Sequence, residues 1–274
     1  MRIVILGAGS VGTNLHHAFS LKGIKTELIH ARPLTNPTGE AGLTAAGGLS
    51  ATRSGSDLEA VRLPLADIYI YAIADQALRE VVSKIHAPKA LHLHTSGTMP
   101  IEVFGEDKPH SGILYFFQSF SRDVMIDDWS GIPCFISGRN IDDIAAIYSL
   151  AQTLTSRIYE ANQHDRERLH IAGVFANNYT NLMYRIAADI LQDTQIPFEA
   201  LLPLIDNTAA KVHKMKPADA QTGPAQRGDQ AVMEHQIEVL KAPQPPKGGD
   251  GFTAEEKVAV YQALAALIGK GQNH

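Results

Sequence analysis

The chain has 274 residues, a formal net charge of −5, and 45% hydrophobic against 19% charged residues. That length favours two modest domains, and the acidic balance offers no global positive field for nucleic acid or an anionic membrane. The single cysteine, Cys134, excludes an internal disulfide and fits a reducing compartment, so a cytoplasmic location is expected.

The apolar start ends at a glycine-rich turn without the cleavage pattern of an export signal. No stretch has the length needed to span a bilayer. Arg2 to Leu6 reads as a short strand, followed by Gly7-Ala8-Gly9-Ser10-Val11-Gly12 and a helix to about Lys22. Lys25 to His30 reads as a second strand. The Gly-, Ala- and Ser-rich piece from Pro37 to Ser56 is read as a short helix near Glu40–Ala46, a strand and a loop. Asp67–Ile73 is a β run before a helix over Gln76–Ile85, and Ala90–His94 is another strand, stopping at Thr95-Ser96-Gly97. Two more apolar runs, Gly112–Phe117 and Ile132–Ser137, precede a helix over Asp142–Leu154 and a strand near Arg157–Glu160. Strands alternating with helices argue for a doubly wound parallel sheet covered on both faces.

From Asn162 onward the periodicity is helical. One long helix is expected from His164 to Asp193, a second after Pro197, and a third from about Asp229. Ala242–Gly251, with Pro243, Pro245 and Pro246, reads as a linker or turn. Thr253 and Glu256 form a capping-box pattern at the start of the last helix. The fold class is therefore α/β: an N-terminal Rossmann domain over 1–161, and an all-helical domain over 162–274.

A lone Gly-x-Gly-x-x-Gly is weak, but here it follows an N-terminal strand, opens a helix and is followed by a second strand. Gly7 allows the tight turn, Gly9 lets the backbone approach a pyrophosphate, and Gly12 lets helix and strand pack closely. Ala8, Ser10 and Val11 complete the turn, where a helix N-terminus offers amides to phosphate. NAD-binding proteins usually place an acid at the end of the second strand, whereas this chain reads His30-Ala31-Arg32-Pro33. Arg32 suits a 2′-phosphate, so NADP is expected as cofactor.

In an open α/β sheet, ligands bind beyond the carboxyl ends of the strands. Ala72, Ile73 and Ala74 with Asp75, then Thr95, Ser96 and Gly97, then Gln118 with Ser119 and Phe120 should therefore face the nicotinamide. Ser96 offers a hydroxyl and Gly97 an amide beside the reacting carbon, and Asp75 reads as an N-cap. His92 and His94 point to one face of a strand, but without a third ligand at motif spacing they read as satisfied core histidines and no metal is expected. Cys134 reads as packing.

Four pieces resemble the 6-phosphogluconate-dehydrogenase-like superfamily, which includes pyrroline-5-carboxylate reductase. They are Gly7–Gly12 with its strand, Leu93–Gly97, His170–Asn178 and Thr222–Asp229. More narrowly, the chain resembles bacterial proteins in which a Rossmann-like domain is joined to a domain of unknown function. The resemblance implies a hydride-transfer fold with an interdomain active site and a helical domain that dimerises. The chain carries Gly223–Asp229 where pyrroline-5-carboxylate reductases carry a Pro-Gly-Gly-Thr turn. It also lacks the Lys-x-x-x-Asn pattern of the hydroxyacid dehydrogenases.

On the corresponding helix, His170 and Asn177 lie two turns apart and share a face. His170 is the candidate proton donor and Asn177, expected to be buried, the group that orients a carbonyl or imine. Asn178 and Arg227 join Gln118 as substrate-side residues; Arg227 either clamps a carboxylate or holds its turn by an ion pair. The reading is an NADP-dependent oxidoreductase acting on a small carbonyl or imine compound, as a homodimer. The alternative is a non-catalytic NADP-binding sensor or interaction protein, and a methyltransferase is a distant third.

Overall fold

The computed structural model describes residues 1–32, 42–45, 63–242 and 251–271, with backbone alone for 30–32 and 42–45. Two compact units divide the chain, Met1–Val174 and Phe175–His274.

The first unit runs β1 (Ile3–Leu6), α1 (Ser10–Leu21), β2 (Thr26–Arg32), β3 (Gly42–Ala45), β4 (Ile68–Tyr71), α2 (Asp75–Ser83), β5 (Leu91–His94), β6 (Ser111–Phe116), β7 (Cys134–Gly138), α3 (Ile141–Gln152), β8 (Ile158–Glu160) and α4 (Gln163–Gly173). Its eight strands form one sheet in the order β3-β2-β1-β4-β5-β6-β7-β8. The order reverses beside β1, whose neighbours are β2 and β4, both parallel to it. That reversal is where an open α/β sheet leaves a crevice at its carboxyl edge.

Alternation along each strand buries both faces, as a helix-covered sheet requires. Ile3, Ile5, Ile68, Ile70 and Leu93 pack on one side with Leu15 and Phe19 of α1 and Ile147 and Leu150 of α3. Val4, Leu6, Tyr69 and Tyr71 pack on the other with Leu78 and Val82 of α2 and the 3₁₀ turn Ile101–Phe104.

Two expectations are corrected. Residues 42–45 of the segment read as a short helix form a strand, β3, antiparallel to β2; the flanking residues 33–41 and 46–62 lie outside the described ones. The sheet is parallel over β2-β1-β4-β5-β6 but reverses at β6–β7, because the link between those strands contains no crossover helix. The first compact unit runs through Val174 and so includes α4, whereas the sequence expectation places a domain boundary after residue 161. Within α4, Arg166 donates to Ser137 Oγ and to the Ala161 and Met99 carbonyls, and Gly173 lets Phe117 close to where a Cβ would lie 2.7 Å from its ring.

The second unit contains most of a π-helical segment, Val174–Tyr179, then α5 (Thr180–Leu191), a 3₁₀ turn (Phe198–Leu201), α6 (Leu202–Val212), α7 (Pro217–Ala220), α8 (Pro224–Arg227), α9 (Gln230–Lys241) and α10 (Ala254–Lys270). The single long helix expected over His164–Asp193 is therefore α4 and α5 with π turns between them. Asp229 caps α9 by accepting from the Val232 amide, and Thr253 with Glu256 forms the expected capping box on α10. The proline-rich 243–250 lies outside the described residues. Lys257 of α10 and Asp189 of α5 form a buried ion pair at 2.6 Å.

Candidate cofactor and active site

The three glycines of the first turn answer to different demands. Gly7 has φ +111°, and a Cβ there would collide with the Ala72 carbonyl and Ile73. A Cβ on Gly12 would collide with the Gly7 carbonyl. Gly9 has an ordinary extended backbone, φ −80° and ψ −172°, and a Cβ on it would meet nothing within 4 Å among the described residues. Protein packing thus demands glycine at positions 7 and 12 but leaves open space at 9, directly at the head of α1.

That helix start carries no side-chain cap and no acidic residue in its first turn. Its free amides and positive dipole end suit a phosphate. A nucleotide pyrophosphate fits this cradle. The backbone of β2 carries Arg32 at the strand's last position, paired with Gly42, and its side chain lies outside the described ones.

Inside α1, Asn14 is fully buried. Its Nδ2 donates to the carbonyls of Ser10, at 2.9 Å, and Ser121, at 2.7 Å, while its Oδ1 accepts from the Ile126 amide at 3.0 Å. One side chain therefore pins the loop after β6 against the helix that would hold the pyrophosphate.

At the carboxyl edge, Ala72 donates its amide to Leu6 and Ala74 precedes the first residue of α2. Asp75 is that first helical residue rather than the N-cap, and its carboxylate accepts from Thr98 Oγ1 at 2.7 Å. Ser96 Oγ accepts from the amides of Thr98 and Met99, so its hydroxyl oxygen holds the turn after β5. Thr95 Oγ1 reaches the Tyr71 carbonyl, and the exposed Gln118 turns its side-chain oxygen back to the Ser119 amide.

His94 is buried; its Nδ1 accepts from the Ser96 amide at 3.2 Å, which puts the proton of the neutral ring on Nε2. Burial first, and the Arg166 cation second, lower its pKa to about 4. His92 is a satisfied core histidine, its Nδ1 2.9 Å from Tyr71 Oη and its Nε2 2.9 Å from the Ala87 carbonyl. Cys134 is buried, which pushes its thiol up. Among the described residues no three His, Cys, Asp or Glu side chains are grouped to hold a metal ion.

His170 does reach the sheet's carboxyl edge. Its Nδ1 lies 3.3 Å from the hydroxyl of Tyr115, near the end of β6. The Tyr115 ring lies against Gly97, where a Cβ would come within 2.8 Å of Cζ. Gly97, Tyr115 and His170 thus form one contact chain contributed by three elements. In the sequence Tyr115 is one residue of the apolar run Gly112–Phe117, and that run alone does not single it out. The signal was a phenol at the carboxyl end of a central strand, where a hydroxyl can work. Asn14 was likewise legible as an amide on the apolar side of a helix, whereas Arg166 had no local signature.

Asn177 and Asn178 lie in the π segment and both are exposed, which corrects the expectation of a buried amide at 177. Phe175, in the same segment, is itself 65% exposed. The α-helical spacing that put Asn177 on the face of His170 does not hold across π turns. Arg227 ends α8, is exposed and makes no ion pair among the described residues.

A strand-turn-helix glycine cradle at the switch point of a mostly parallel sheet, followed by a helical unit, defines a Rossmann-type dinucleotide-binding protein. Residues 132–268 match the family model described as a domain of unknown function, DUF2520, and the chain belongs to that family. A Bacteroides fragilis protein assigned to the NADP oxidoreductases has a similar structure, with 31% identity, TM-score 0.78 and 98% of each chain covered. The fold is shared, at 14% identity and TM-score 0.63, with an Aspergillus terreus reductive aminase solved with NADPH and ethyl levulinate, over 99% of this chain and 93% of that one. It is shared, at 11% identity and TM-score 0.54, with a Plasmodium falciparum pyrroline carboxylate reductase solved with NADP, over 98% of this chain and 100% of that one. No curated protein matches the chain.

Proposed function

We propose that this protein is an NADP-dependent oxidoreductase that reduces a small carbonyl or imine compound. The observation that carries the reading is the open approach to Gly9 at the uncapped start of α1, a space that none of the described residues fills. The assignment of the Bacteroides fragilis relative, similar over nearly the whole chain, supports the same cofactor and reaction class. Gly7–Gly12 would hold the pyrophosphate and Arg32 the 2′-phosphate. Ala72–Ala74, Thr95 and Gly97 would border the nicotinamide.

When bound, the reduced nicotinamide supplies a hydride to the substrate carbon. The chain's own task is to orient that carbon and manage a proton. His170 stands at the sheet edge for the proton, and Gln118, Asn177, Asn178 and Arg227 are the polar groups we assign to the substrate side. A thermal-shift titration with NADPH, NADH and S-adenosylmethionine tests the cofactor. Stabilisation by NADPH is expected, and its loss in Arg32→Ala with NADH little affected identifies the 2′-phosphate contact. Stabilisation by S-adenosylmethionine alone would overturn the reading.

We further propose that the protein works as a homodimer through its helical unit. Among the described residues of Phe175–His274, the buried apolar side chains are Ile186 and Leu240, while Leu204 is 64% and Leu267 62% exposed. A unit with so little core needs a covering surface. A second copy supplies one with the same apolar character. Analytical ultracentrifugation should find a dimer, and a monomer at all concentrations would exclude it.

A further inference from the structure

The three hydroxyls of the turn after β5 are committed. Ser96 Oγ is held by two backbone amides and Thr98 Oγ1 by Asp75, while Thr95 Oγ1 reaches the Tyr71 carbonyl. Tyr115 differs: among the described residues its hydrogen-bond partner is His170 Nδ1, a group that can itself carry a proton. Four elements surround it: Gly97 from the turn after β5, Phe117 beyond its own strand, Phe135 of β7 and His170 of α4. His170 is the only titratable group among these neighbours. Tyr115 and His170 are both half-buried, so the pair bridges the protein edge and solvent.

We propose that Tyr115 is the group that hands the proton to substrate, and that His170 acts behind it as a relay from solvent. This rests on the oxidoreductase reading above. As the substrate carbon gains its hydride from the reduced nicotinamide, the C=O or C=N π pair moves onto oxygen or nitrogen. That atom takes the Tyr115 proton, the O–H bond breaks and its electron pair stays as phenolate. The doubly protonated His170 ring then gives its Nδ1 proton to the phenolate, is left as neutral imidazole carrying Nε2–H, and takes one proton back from solvent.

Burial pushes the Tyr115 phenol up to about 12, so it stays protonated at neutral pH. An alkoxide or amide anion is more basic still, and the transfer runs downhill. A neutral carbonyl or neutral imine needs that proton, whereas a preformed iminium ion needs none after hydride addition.

The test uses the full-length protein with its eight tyrosines replaced by 3-fluorotyrosine, which brings phenol titration into a milder pH range. Fluorine NMR follows the resonance that disappears in Tyr115→Phe. That resonance should titrate above the exposed phenols and move in His170→Asn. Saturating NADP⁺, whose nicotinamide ring is cationic, should lower its midpoint by about one unit or more, and NADPH should not. If NADP⁺ raises the melting temperature but leaves the Tyr115 titration unmoved, the proton-donor assignment is overturned. If neither nucleotide raises the melting temperature, the underlying oxidoreductase reading falls instead.

Discussion

Asn14 Oδ1 accepts the Ile126 amide across 112 residues of chain, so the dinucleotide helix and the loop after β6 share one buried carboxamide. Asn14→Ala strands the Ser121 carbonyl and the Ile126 amide. Each buried polar group left without a partner costs about 1–3 kcal/mol. We expect a destabilisation of about 2–4 kcal/mol in urea melts, with proteolysis appearing first in the 118–128 loop. Unchanged stability would mean the loop is held by other contacts.

The first and third glycines should behave unlike the second. Gly12→Ala drives a methyl into the Gly7 carbonyl and should lower the melting temperature sharply. Gly9→Ala meets no atom of the described residues, so the apoprotein should melt close to the parent while NADPH affinity falls by tenfold or more. Equal loss of fold in both would remove the distinction on which the cofactor reading depends.

His94 sets an acid limit on stability. Its folded pKa, about 4, lies below the ordinary 6.5, so the unfolded chain binds the extra proton between those values. Stability from this group is intact above pH 6.5, falls as pH drops toward 4, and changes no further below that. The slope reaches about 1.4 kcal/mol per pH unit, and His92, also lowered by burial, adds in the same direction. Urea melts at pH 7 and 5 should diverge less in His94→Gln than in the parent.

The Lys257–Asp189 pair is sealed, with side-chain exposures of 0% and 5%. Removing one partner leaves the other charge buried, at a cost of about 3–5 kcal/mol. Lys257→Met should therefore unfold the helical unit at lower denaturant than the double variant Lys257→Met/Asp189→Leu. A single variant as stable as the parent would contradict that.

Sequence legibility followed the range of the physics. The β1 run and the Gly7–Gly12 turn are local signals, and Asp229 and the Thr253–Glu256 cap are decided within four residues, so all could be read directly. The direction of β7 could not, because pairing is chosen by partners distant in sequence. Arg166 looked like any charged residue on an amphipathic helix. Only the fold brings it to the Met99 and Ala161 carbonyls. Asn177 was misjudged because helical spacing assumes uniform α turns, and the π turns at 174–179 break that assumption. At the site, the glycines were readable as a motif. The Tyr115–His170 contact joins residues 55 apart and could not be read from spacing.

Arg166 has a practical consequence for dissecting the molecule. A fragment ended at residue 161, where the strand–helix alternation stops, would lose the guanidinium that ties Ser137, Ala161 and Met99 together. The β5 turn would lose a brace next to His94, and Tyr115 would lose its histidine. A fragment carried through Val174 keeps all of these, so a nucleotide-binding half excised for study is better cut one helix later than the sequence suggests.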